Sequence, residues 1–139
     1  MKKILGLTAV VLVLFGCSVQ KNQDKPELFE ILKQQEQGGA SFRFYEIITE
    51  AKEFKMLLND NDLKKKIKSE DIQTSNFILV NLGEKTSGGY SISVESIQET
   101  DTDIILTLKE NSPTGMATTV MTYPMAVIRV NSKKNIIIN

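Results

Sequence analysis

The chain has 139 residues, sets 17 lysines and arginines against 17 aspartates and glutamates, and contains one cysteine and no histidine. Without histidine there is no Ser-His-Asp relay, no Cys-His pair and no HExxH zinc site, and a lone cysteine allows neither an internal disulfide nor the zinc spacings built on cysteine pairs. A formal charge of zero leaves no basic field for nucleic acid, so no nucleic-acid partner is expected.

The first element reads as a lipoprotein leader. Lys2 and Lys3 are its charged start, Ile4 to Phe15 its apolar core, and Leu14-Phe15-Gly16-Cys17 its cleavage box. Twelve apolar residues are too few to span a bilayer as a permanent helix. The expectation is a signal peptide over residues 1–16 and a lipidated Cys17 at the start of an exported chain, anchored to the cell membrane or outer membrane. That covalent lipid is the only non-protein group expected, with no metal and no cofactor. Loss of Lys2 and Lys3 leaves 15 basic residues against 17 acidic ones, a net charge of −2. One fatty chain holds a protein only marginally, whereas two or three hold it firmly.

Residues 17–40 read as a tether. Asp24, Pro26 and Glu27 resemble a capping box, Gly38-Gly39 would close the helix, and Leu28, Ile31, Leu32 and Gln35 share one face of it. A polar leash without structure is the alternative, since short isolated helices are marginal in water.

The domain proper is expected over residues 41–139. Phe42 to Ile48 (FRFYEII) is aromatic and β-branched and suits a strand. Thr49 then caps a helix with Glu50 and Glu53 in its first turn and a stripe of Ile47, Ala51, Phe54 and Leu58. After Asn59-Asp60-Asn61, Leu63 and Ile67 turn the edge of a second short helix inward, leaving Lys64, Lys65, Lys66 and Lys68 to solvent. Beyond Ser75 the pattern changes to strands. Phe77 to Leu82 is nearly continuous apolar, as in a strand covered on both faces. Tyr90, Ile92, Val94 and Ile97 mark a half-buried strand, and Ile104, Leu106 and Leu108 another, with a hairpin loop at Glu99 to Asp103 between them. Thr119 to Asn131 reads as a long extended run with a bulge or an edge at Pro124, and Asn135 to Ile138 as a last short strand. This order predicts an α+β fold with a mostly antiparallel sheet, as a sandwich or partial barrel, and one or two short helices near its start.

Three motifs invite functional readings. Lys85-Thr86-Ser87-Gly88-Gly89-Tyr90 has the composition of a phosphate loop, but its glycines follow the lysine and lead into a strand, whereas a Walker loop ends in Gly-Lys-Ser/Thr before a helix. A turn requiring positive φ explains it better. Asp60-Asn61-Asp62 begins like a calcium loop, yet lysines stand where ligands and glycine belong, so a helix break with an aspartate cap is expected. Asn111 to Ala117 has turn chemistry at one end and an exposed Met116 at the other; with the Ser87–Tyr90 turn it would form one edge of a recognition surface.

Ile78 to Val94, Ile105 to Gly115 and Met121 to Val130 together resemble the C-terminal domain of the PrcB family, over roughly residues 45–131. The motifs that carry the resemblance are Gly83, Thr86-Ser87-Gly88-Gly89-Tyr90, Pro113 and Thr122-Tyr123-Pro124. The family is named for a lipoprotein that accompanies and stabilises a surface protease complex. The resemblance implies a non-catalytic binding or assembly domain, with an envelope protein, in one version a protease, as partner. The residues it singles out for contact are Ser87, Gly88, Gly89, Tyr90, Tyr123 and Pro124. Ser87-Gly88-Gly89-Tyr90 also resembles a loop of the chagasin-like peptidase inhibitors, which makes inhibition an alternative. An envelope lipoprotein with no discrete site is a third.

Overall fold

The computed structural model describes residues 27–139. The signal peptide, Cys17 and Asp24 of the expected capping box lie outside the described residues. Within them the chain runs through β1 (Phe29–Gln35), β2 (Arg43–Ile48), α1 (Ala51–Leu58), β3 (Asn76–Leu82), β4 (Ser91–Glu99), β5 (Asp103–Asn111), β6 (Met125–Val130) and β7 (Asn135–Ile138). Two single 3-10 turns, Leu63–Lys65 and Ser69–Gln73, stand between α1 and β3.

The architecture follows from the one segment with no polar face. β3 is buried along almost its whole length. Its Ile78, Val80 and Leu82 point to one side and Phe77 and Leu79 to the other, so something apolar has to cover each. The first cover is a second sheet, whose Ile92, Ile104, Leu106 and Ile136 pack on β3 and on Ala126, Ile128 and Val130 of β6. The second is the helical segment, where Phe54, Leu57, Leu63, Ile67 and Ile72 pack on Phe77 and Val127. The result is three layers: helix and turns, a sheet in the order β1-β6-β3-β2, and a sheet in the order β4-β5-β7. All pairings are antiparallel except β5 with β7. This is the expected α+β fold in its sandwich form, with no closed barrel.

Several local expectations are corrected. The stretch expected as a helical tether is β1, a strand paired with β6 from Phe29 opposite Val130 to Gln35 opposite Met125. Strand alternation turns Ile31 toward the second sheet and Leu32 toward the helical layer, and the register shift between Ile31 and Lys33 adds an extra residue there. A bulged strand buried on both faces thus reproduces the spacing of one helix face. Glu50, not Thr49, occupies the N-cap of α1, with no side-chain hydrogen bond to the helix. The helix buries Phe54 and Leu57, while Ala51 stays exposed and Ile47 belongs to β2. Leu63 and Ile67 are buried as expected, but Leu63 begins a 3-10 turn and Ile67 lies in the link between the two turns. Of the run Thr119–Asn131 only Met125–Val130 is strand; Pro124 precedes it directly, and β6 lies between β1 and β3 and not at an edge.

The registers also sort the connections by end. Residues 27–28, the Thr100–Thr102 hairpin and residues 131–134 meet at one end, joined by Asn131 N–H to Leu28 C=O at 2.8 Å and Lys134 Nζ to Thr100 C=O at 2.6 Å. Residues 36–42, 83–90 and 112–124 meet at the other. The chain enters at the first end, and the seven residues of β1 carry it about 20 Å to the second.

Candidate functional site

The far end is built around the excursion from Ser112 to Pro124, which joins β5 to β6. Thirteen residues without regular structure need fixing points, and the neighbouring turns supply them. Lys85 and Thr122 exchange two backbone hydrogen bonds, at 2.8 and 2.9 Å. Thr122 Oγ1 donates to the Ser87 carbonyl at 2.7 Å, and Gly88 N–H donates to the Thr118 carbonyl at 3.1 Å. On the other flank Tyr123 N–H donates to Glu36 C=O and Gly39 N–H to Tyr123 C=O, both at 2.9 Å.

The six residues singled out from the sequence are therefore brought to one end, but most of them hold it together. Gly88 is buried against Thr118, and Gly89, at φ +88°, gives its N–H to the Glu36 carboxylate. Pro124 is buried, its carbonyl accepting from Leu82 N–H at 3.0 Å. Tyr123 donates its hydroxyl to Glu84 at 3.0 Å, which raises the phenol above its ordinary pKa. Tyr90 lies half-buried with Lys85 Nζ 5.0 Å from its ring centroid. The side chains left uncovered are others: Met116, fully exposed, with Val120 and Met121. A methionine pair and a valine among threonines was the sequence signal for them, and of these only Met116 was picked out.

Behind the turn lies a clamp that sequence reasoning missed. Glu110, near the end of β5, pairs with Lys85 at 2.7 Å and with Arg43 of β2, and so ties the two sheets together. Arg43 also donates to the Tyr45 hydroxyl at 3.0 Å. Burial pushes the Glu110 carboxyl up, but the hydrogen bonds and charges of Lys85 and Arg43 outweigh it and hold the group below its ordinary value of 4.5. A carboxylate depressed in the folded state stabilises the fold above its unfolded pKa, and that contribution is lost as pH falls through the folded one. Between about pH 6 and pH 3 the urea midpoint is expected to fall further in the parent than in Glu110→Gln. Equal falls would mean that the pairs leave no trace in stability.

Elsewhere the chemistry is spent on structure. Asp60 accepts from Lys33 Nζ at 2.7 Å and from the backbone N–H of Asp62 and Leu63, which is the aspartate cap expected in place of a calcium loop. A depression of about 560 Å³ runs along β1, lined by Lys33, Gln34, Lys65, Lys66 and Asp62. Lys66 is committed to the Leu32 carbonyl and Lys33 to Asp60 and Asp62. Among the described residues no group of three or more acidic, cysteine or histidine side chains is placed to hold a metal, and no helix is long and apolar enough to cross a membrane.

The turn, the long loop and the strands that carry them form one continuous stretch. Residues 76–131 match the PrcB C-terminal family. The resemblance carried by the Thr86–Tyr90 and Thr122–Pro124 motifs is borne out over this segment. The PrcB C-terminal match begins at the first residue of β3 and ends just past β6, so it takes in both fixing turns and the excursion between them. β1, β2 and the helical layer lie outside it, although β1 leads into the Glu36 contact. No curated protein and no solved structure matches the chain.

Proposed function

We propose that this protein is a non-catalytic assembly module of the cell envelope, held at the membrane through lipid on Cys17 and engaging an envelope protein with its far end. The observation that carries this reading is the polarity of the fold. The chain enters at one end of the sandwich, and the exposed Met116, Val120 and Met121 stand on a braced loop at the other. Methionine side chains are polarisable and adaptable, and they recur on surfaces that bind other proteins. Eleven residues separate Cys17 from Phe29, which limits the anchor's reach to about 40 Å. Confinement of that kind raises the effective concentration toward a membrane partner without any new contact. The family resemblance points to a surface protease complex as the partner class, and in this reading the module stabilises the complex and performs no chemistry itself.

The test is co-purification from cells with the tagged full chain. Met116→Asp with Met121→Asp is expected to lose the captured partner at least ~10-fold, the cost of placing charge in a desolvated contact. Ile137→Asp, an exposed position on β7, is expected to retain it. Equal capture by both variants would remove the far end as the contact surface.

A further inference from the structure

The sandwich has four open edges, and three are guarded. β1 carries a bulge, and its Leu32 carbonyl accepts from Lys66 Nζ. β4 has a bulge at Val94 to Ser96, and the Gln34 side chain accepts from its Ile92 N–H. β7 is only four residues long. Bulges, a capping lysine and shortness are the ordinary ways in which an edge is kept from pairing with another chain.

β2 has none of these. Leu82 turns its N–H away from β2, to Pro124. Strand alternation and the register then pair Phe44, Glu46 and Ile48 with β3, which leaves the N–H and C=O groups of Arg43, Tyr45 and Ile47 on the outer edge. The side chains agree with an unfinished edge. Tyr45 and Ile47 face the second sheet, yet they are 39% and 37% exposed.

We propose that β2 is a dimerisation edge, at which two copies of this chain pair antiparallel about a dyad at Tyr45. The sequence of the strand selects this register. With Tyr45 on the dyad, Tyr45 faces its own copy, Arg43 faces Ile47, and Glu46 faces Phe44, so all three outward residues bond and no like charges meet. A shift that puts Glu46 on the dyad opposes two carboxylates and leaves Arg43 unpaired. The avoidance of facing carboxylates and the count of satisfied backbone groups therefore favour this self-pairing over the Glu46-centred one. The helical layer packs on β1, β3 and β6 through Leu32, Phe77 and Val127 and reaches β2 only at its last residue, Ile48, while Arg43, Tyr45 and Ile47 stay exposed. The two four-stranded sheets would become one continuous sheet, with Tyr45 and Ile47 of both copies covered.

The test uses the full chain carrying Cys17→Ala, in detergent, with single cysteines and a mild oxidant. Bonded antiparallel partners have Cα atoms about 5.5 Å apart, within disulfide reach, whereas positions four residues out of register are beyond it. Tyr45→Cys is expected to cross-link to itself. Arg43→Cys and Ile47→Cys are each expected to stay uncross-linked alone and to cross-link when the two chains are mixed. Ile47→Lys places a lysine opposite Arg43 twice per dimer and is expected to weaken self-association roughly 10-fold, by sedimentation, with the fold kept. A chain that sediments at 15.6 kDa at every concentration overturns the proposal, as does Tyr45→Cys cross-linking no better than Ile137→Cys. Protection of Tyr45→Cys only by a different protein overturns it as well, and would assign the edge to a foreign strand.

Discussion

Replacing Phe77 by alanine is expected to cost about 3–5 kcal/mol, read as a lower urea midpoint at unchanged slope. Phe77 is fully buried on the face of β3 that receives the helical layer, and its ring centroid lies 4.5 Å from that of Phe54 on α1. An eight-residue helix whose N-cap makes no side-chain bond has little stability of its own, so its place depends on what Phe54 and Leu57 touch. Removing the ring opens a cavity between the two layers, directly under Phe54. In a domain whose total stability is about 5–15 kcal/mol, that is a large fraction. Phe42→Ala is the control, since Phe42 is exposed and rests mainly on Phe44; it is expected to cost less than about 1 kcal/mol. If Phe77→Ala costs as little as Phe42→Ala, the helical layer is not docked on β3.

The same two-faced burial explains which parts of the fold were legible in the sequence. β3 announces itself because six of its seven residues are buried and the apolar run is nearly unbroken. β4 is legible through its bulge: Ile92 and Val94 keep a period of two, and the shift after Val94 moves the next inward residue to Ile97. β1 misleads for the same physical reason, because strand alternation divides Ile31 and Leu32 between two cores. Periodicity cannot separate one helix face from a strand when both strand faces are buried. The candidate site was legible as a place and not as a set of contacts. Gly88, Gly89 and Pro124 stand out because the backbone needs them there, and a residue that the backbone needs is a poor guide to what a partner touches. Glu110 gave no local signal, since its meaning comes from Arg43 and Lys85, 67 and 25 positions away.

Gly89→Ala is expected to cost about 2–4 kcal/mol, and comparison with Gly115→Ala divides that figure into its causes. Both glycines have positive φ, +88° and +82°, where an added Cβ strains the backbone. At Gly115 the new methyl meets nothing within 4 Å, so only the backbone term of about 1–2 kcal/mol is expected. At Gly89 it would lie 2.7 Å from Pro113 Cβ, closer than carbon atoms approach, and either the turn or the start of the long loop has to move. The excess of Gly89 over Gly115 in urea unfolding therefore measures how firmly the 87–90 turn is packed on the loop that presents Met116. A clear excess makes the turn a brace, and a partner lost on Gly89→Asp would then report a displaced loop and not a removed contact. Equal costs would mean that Pro113 yields freely, and Ser87 to Tyr90 would return as residues that touch the partner directly.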